Sequence, residues 1–141
     1  MHEKIVVTTS SEETWRIGRE LADSLKKGDV VALAGLLGAG KTVMVKGICD
    51  GLGYSGVVSS PTFNLINVYS GKSEIYHFDC YRLESVSELE DIGYEEYFYS
   101  GNGISLVEWA DKVKTAIPED AVHIELEIVS EFERSIRISR R

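Results

Sequence analysis

Cysteine is scarce in this chain of 141 residues: Cys49 and Cys80 stand apart, with no Cys-x-x-Cys pair and no zinc-type spacing. That excludes a disulfide-stapled scaffold and a thiolate metal centre, and it fits a reducing cytoplasm. Long apolar runs are missing too. No stretch approaches the roughly 20 residues that a bilayer span needs, and none resembles a secretory core, so neither export nor membrane association is expected. Basic charge is in deficit, with 15 Lys and Arg against 23 Asp and Glu for a net charge of −8. Phosphate backbones are gripped by basic surfaces, so any nucleic-acid role would need a partner to supply one. Repeats, linkers and low-complexity segments are absent as well. With 43% hydrophobic residues, the chain is expected to form one domain over 1–141 with a real core.

What is present is concentrated in residues 35–42, Gly-Leu-Leu-Gly-Ala-Gly-Lys-Thr, which satisfy the phosphate-binding pattern G-x-x-x-x-G-K-[ST]. A polyphosphate needs several donors converging on a small volume. Gly35, Gly38 and Gly40 let the backbone curl so that successive N–H groups point inward as a nest. Lys41 can reach the β- and γ-phosphates, the Thr42 hydroxyl can ligate Mg²⁺, and the following helix turns its positive end to the same anion. The nucleotide-contacting stretch is therefore expected to be Leu37, Gly38, Ala39, Gly40, Lys41, Thr42 and Val43. Context supports the pattern. Val30-Val31-Ala32-Leu33-Ala34 reads as a buried parallel strand, and Val43, Met44, Val45, Ile48 and Leu52 follow at helical spacing toward Gly51 and Gly53.

Elsewhere, residues 4–8 read as a strand, and Ser10 with Glu13 has capping-box spacing ahead of a helix bearing Ile17, Leu21 and Leu25. Residues 57–69 are rich in β-branched and aromatic side chains, interrupted by Ser59-Ser60-Pro61-Thr62; a turn at 70–73 and a strand at 74–79 follow. Ser85 and Glu88 repeat the capping-box spacing for a helix ending near Gly93, and Tyr94 begins a second short helix. Residues 104–107 read as another buried strand. Val122, Ile124, Leu126 and Ile128 alternate with polar residues, and Ile136 and Ile138 suggest the hairpin partner. The expected fold is an α/β sandwich with a mixed, partly parallel central sheet.

Hydrolysis would need acids at the carboxyl ends of strands beside the loop. Glu108 follows the apolar run Ile104-Ser105-Leu106-Val107, and Asp79 follows Ile75-Tyr76-His77-Phe78. Ser60-Pro61-Thr62 is a candidate switch, with Pro61 holding Ser60 extended and Thr62 offering a hydroxyl to the γ-phosphate or its attacking water; a strand beginning at proline is the alternative. Arg82 is a candidate charge in cis or a surface ion-pair partner, His77 reads as core or hydrogen-bonded with a catalytic base as the lesser alternative, and Trp109 reads as core or contact surface.

Four segments in this order resemble the TsaE (YjeE-type) family of bacterial P-loop ATPases. They are residues 35–42, Ser60-Pro61-Thr62-Phe63, His77-Phe78-Asp79-Cys80-Tyr81-Arg82-Leu83 and Val107-Glu108-Trp109. The resemblance implies a three-layer P-loop NTPase sandwich and a slow, ATP- and Mg²⁺-dependent ATPase. Its role would be in threonylcarbamoyladenosine modification of tRNA, acting on a complex of TsaB and TsaD that itself holds the tRNA. It assigns Lys41 to phosphate, Thr42 and Glu108 to Mg²⁺, Asp79 to the Walker-B-type acid and Thr62 to the switch-like segment, giving Lys41, Asp79, Glu108 and Thr62 as the catalytic set. The family usually reads G-D-L-G-A-G-K-T; Leu36 here replaces that aspartate while leaving the backbone donors intact.

Three rivals were weighed against this. A small GTPase lacks its D-x-x-G and N-K-x-D. A small-molecule or nucleoside kinase shares the loop but needs an arginine-bearing lid, and Arg82 is the sole arginine between Arg19 and Arg134. A non-catalytic, nucleotide-gated binding module would need the loop alone.

Overall fold

The computed structural model describes residues 2–61 and 64–140. Seven strands form one sheet in the order β1-β7-β6-β2-β5-β4-β3: β1 (His2–Thr8), β2 (Val30–Gly35), β3 (Ile66–Ser70), β4 (Glu74–Asp79), β5 (Gly103–Glu108), β6 (Val122–Ile128) and β7 (Arg134–Arg140). β2 pairs in parallel with β5 and β6, and β5 with β4, while the outer pairs are antiparallel. The expected mixed, partly parallel sheet is what forms, with helices on both faces.

Burial explains which strands read as apolar runs. The central strand β5 is buried along its whole length. β6 has one covered face only, so Val122, Ile124 and Leu126 are buried while His123, Glu125 and Glu127 face out. On one face, Val31, Leu33, Ile75, Leu106 and Ile124 pack against α1 (Ser11–Ala22) and α2 (Lys41–Gly51). On the other, Val30, Ala32, Tyr76, Phe78 and Val107 meet α3 (Val86–Asp91), α4 (Tyr94–Tyr99) and a 3₁₀ segment over Ala110–Ala116. Among the described residues, no helix is long and apolar enough to cross a membrane.

The helices that carry the loop are packed unusually close. A Cβ on Gly47 of α2 would lie 2.0 Å from the Trp15 carbonyl oxygen of α1, and one on Gly18 would lie 2.4 Å from that of Met44. Backbone therefore meets backbone along the α1–α2 seam, and α2 cannot slide relative to the sheet without separating from α1.

Several expectations are corrected. The run over 57–69 becomes a strand only at Ile66, so Pro61 does not open one. Residues 57–61 instead cross the surface, with the Val57 carbonyl accepting from the Tyr54 hydroxyl at 3.1 Å. Both capping boxes are displaced by one residue. Ser10 does accept from the Glu13 amide, but the Glu13 carboxylate takes the Thr9 amide at 2.9 Å, beyond the cap. Likewise the Glu88 carboxylate takes the Glu84 amide, and Ser85 makes no side-chain cap. Leu25 lies past the end of α1 yet still packs on the core, and Ile128 is exposed although its alternation pointed inward. The 3₁₀ segment buries every third residue, Ala110, Val113 and Ala116, although the backbone is irregular at Val113.

Two outcomes test this packing. Gly→Ala inside a helix ordinarily gains up to about 1 kcal/mol. Gly47→Ala should instead lose about 2 kcal/mol through the clash with Trp15, read as a lower urea midpoint; an unchanged midpoint would show that the seam can open. Burial pushes both buried thiols, Cys49 and Cys80, up to about 12. Because the thiolate is the reactive form, a thiol reagent at pH 8 should label them slowly in the folded protein and rapidly in urea.

Candidate nucleotide and metal site

β2 delivers the chain into the loop at Gly35, and α2 starts at Lys41. Gly38 and Gly40 have φ of 85° and 105°, a region that side chains with a Cβ avoid, and these turns wind the loop around a hollow. Lys41 is 5% exposed. Its Nζ folds back to donate to the carbonyls of Gly35 at 2.6 Å and Leu36 at 3.0 Å, and lies 4.0 Å from the centroid of the Trp109 ring. Burial pulls its pKa below the ordinary lysine value, while the charges of Glu108, Asp111 and Asp79 oppose that fall. The Leu36 side chain is 73% exposed, so only its carbonyl takes part.

The acids arrive by strand register. In the parallel β4–β5 pair Asp79 stands beside Glu108, and β2 sets Leu33 on the other side of Glu108. Glu108 is 2% exposed, and both its oxygens are held. Oε1 accepts from Thr42 Oγ1 at 2.9 Å, and Oε2 lies 2.6 Å from His77 Nε2. Asp79 Oδ1 accepts from the Tyr81 amide at 2.9 Å. Burial pushes the Asp79 carboxyl above the usual range; that amide and the charges of His77 and Lys41 pull it back, and Glu108 adds to the rise.

Thr42 and Glu108 suit a hard divalent cation. An octahedral ion with ligands at about 2.1 Å has neighbouring ligands roughly 3 Å apart, and Thr42 Oγ1 to Glu108 Oε1 is 2.9 Å. Among the described residues no group of three or more His, Cys, Asp or Glu forms a cage.

The structure thus brings together Lys41, Thr42, Asp79 and Glu108, with Leu37, Gly38, Ala39, Gly40 and Val43, around one cleft of about 410 Å³. Ser60 joins them, its hydroxyl 3.3 Å from Thr42 Oγ1. Thr62 lies outside the described residues. Arg82 does not line the cleft; it borders a neighbouring groove with Ser60, Pro61 and Asp79. Trp109 adopts φ 58°, uncommon for a residue with a side chain. The turn lays its ring over Lys41 and 4.8 Å from that of Tyr81. His77 is both core and hydrogen-bonded, in line with its reading from the sequence, and it is bound at both ring nitrogens, with Nδ1 3.0 Å from Tyr69 Oη.

Sequence reasoning missed the far walls of the cleft. Ser10, Ser11 and Thr14 form one, and Glu131, Phe132 and Arg134 the other. Arg134 donates through Nη1 to the carbonyls of Ser130 and Glu133, each at 2.9 Å, and through Nη2 to that of Gly38 at 3.2 Å. It ties the β6–β7 turn to the glycine loop and leaves the Phe132 ring 71% exposed at the mouth. Nothing local marks Glu131, Phe132 and Arg134, because they reach the loop only once β6 has paired with β2.

The sequence signature of the family described as "Threonylcarbamoyl adenosine biosynthesis protein TsaE" matches residues 8–136. A protein of Treponema pallidum named "tRNA threonylcarbamoyladenosine biosynthesis protein TsaE" is 41% identical over 133 residues, 94% of this chain and 98% of that one. The Bacillus subtilis protein of the same name is 43% identical over 130 residues, 92% of this chain and 80% of its own length. The crystal structure of Bacillus subtilis YdiB superposes with a TM-score of 0.85 at 35% identity, covering 99% of this chain and 86% of that one. A matched signature across most of the chain, close relatives along its length and a shared three-layer sandwich leave one assignment: this chain belongs to the TsaE family.

Proposed function

We propose that the protein binds ATP with Mg²⁺, hydrolyses it slowly, and serves as the ATPase of tRNA threonylcarbamoyladenosine biosynthesis by acting on a TsaB–TsaD complex in the cytoplasm. The observation that carries the chemistry is the Thr42–Glu108 contact at 2.9 Å above the glycine loop. The family and its relatives support the pathway. The net charge of −8 fits a subunit whose partners hold the tRNA.

In this reading the inward N–H groups of the loop cradle the phosphates. Lys41 exchanges its bonds to the Gly35 and Leu36 carbonyls for a phosphate oxygen, which compensates its buried charge. Thr42 and Glu108 would hold Mg²⁺, which would supply positive charge to offset that developing on the phosphates. Asp79, beside Glu108 and less buried, would orient the attacking water. Phosphates at the loop leave the base to the mouth of the cleft, where Phe132 offers a face for stacking and Ser10 and Ser11 the opposite wall.

Titration of a fluorescent adenine nucleotide tests the first step. Lys41→Ala should bind roughly 10- to 100-fold more weakly, the worth of one charge-assisted contact; equal affinities would overturn the site. Phe132→Ala should lose about 1 kcal/mol of stacking toward the nucleotide, roughly five-fold, while competition by inorganic triphosphate stays unchanged. Phosphate release should rise on addition of TsaB and TsaD, and Glu108→Ala should lower it on the order of 100-fold. Binding without any stimulated release would instead indicate a nucleotide-gated module, and transfer to an acceptor a kinase.

A further inference from the structure

His77 is fully buried, yet no step described above uses it. The sheet explains its position. Along β4, Ile75, His77 and Asp79 share the face toward α2, because side chains alternate. Register sets Asn67 of β3 opposite His77 on one side and Leu106 of β5 opposite it on the other. Tyr69 and Glu108, each two residues further along its strand, are therefore its diagonal same-face neighbours, within reach of long side chains.

Hydrogen bonds run along that diagonal. The Ser59 amide donates to Tyr69 Oη at 3.3 Å, and Tyr69 Oη lies 3.0 Å from His77 Nδ1. His77 Nε2 lies 2.6 Å from Glu108 Oε2, and Glu108 Oε1 accepts from Thr42 at 2.9 Å. An ionised carboxylate only accepts, so Nε2 carries the proton it shares with Glu108, and Nδ1 is left to pair with the Tyr69 hydroxyl. The Ser59 carbonyl, also 3.0 Å from Tyr69 Oη, is served by Asn67 Nδ2 at 3.0 Å. At one end of this line stands the candidate metal ligand. At the other stands the residue leading into Ser60, whose hydroxyl is 3.3 Å from Thr42.

We propose that His77 and Tyr69 are positioning residues that couple the Glu108 carboxylate to the segment over 57–61. They fix which oxygen of Glu108 faces Thr42, and they tie that orientation to the seat of Ser59. The proposal rests on reading the site as one for a metal–nucleotide complex. A histidine that merely filled the core would affect stability and neither end of the line.

Mg²⁺ titration of protein saturated with a fluorescent ADP analogue tests the metal end. The half-saturating Mg²⁺ concentration should rise roughly 10- to 100-fold in His77→Leu, the usual cost of losing a partner behind a metal ligand. It should recover in large part in His77→Gln, whose amide can replace the Nε2 donor, and metal-free nucleotide affinity should not change. Tyr69→Phe removes a single oxygen and should shift the midpoint in the same direction even if His77→Leu does not fold. Hydrogen exchange without nucleotide tests the other end: the 57–61 backbone should exchange faster in Tyr69→Phe and in His77→Leu. Variants altered only in melting temperature, with Mg²⁺ midpoint and exchange at wild-type values, would overturn the coupling. If the wild type shows no Mg²⁺-dependent nucleotide binding, the nucleotide reading fails, and the exchange comparison still decides whether the two ends are joined.

Discussion

A carboxylate almost wholly removed from water is tolerated only where its charge is answered, and Glu108 is such a group. Thr42 answers one oxygen and His77 the other. Each partner comes from a different element, so satisfying Glu108 requires α2, β4 and β5 to be in their final relation at once. The same parallel register that brings His77 to Glu108 also sets Asp79 beside it. The arrangement of acids at the strand ends and the stability of the central sheet thus share one cause, and a change that slips β4 against β5 would strand a buried charge as well as disperse the site.

The loop is held from two further directions. α1 pins α2 through backbone contact at Gly18 and Gly47, so the first turn of α2 has little freedom. Arg134 grips the opposite side through the Gly38 carbonyl while collecting carbonyls of its own turn. Lys41, bent back on the Gly35 and Leu36 carbonyls beneath Trp109, is the part of the assembly with somewhere else to go. A rigid cradle with one movable cation suits an anion that must bind and leave.

Much of this was legible in local sequence. The glycine loop, the apolar runs of β2 and β5 and the acids ending β4 and β5 are visible because each depends on residues adjacent in the chain. What escaped depends on register or on distant pairing. His77 reads as core, and only the offset of three strands turns it into a connection between Tyr69 and Glu108. Phe132 and Arg134 sit in a terminal hairpin with no motif, and reach the cleft because β6 lies next to β2. The capping boxes failed in detail because each glutamate found a free amide one residue before the cap, a competitor that spacing alone does not rank. The β-rich composition around Val57 and Ser59 yields no strand there because these residues bond to the Tyr54 and Tyr69 side chains rather than to a neighbouring strand.

The strand order carries a temporal consequence. β1 is hydrogen-bonded to β7, the strand of the sheet farthest from it along the chain, and the turn before β7 lines the cleft. On a translating ribosome the glycine loop emerges about a hundred residues before Arg134 can reach it. The first strand waits longer still for its partner β7. A chain stalled before the hairpin would therefore carry the whole glycine loop without the residues of the turn that line its cleft.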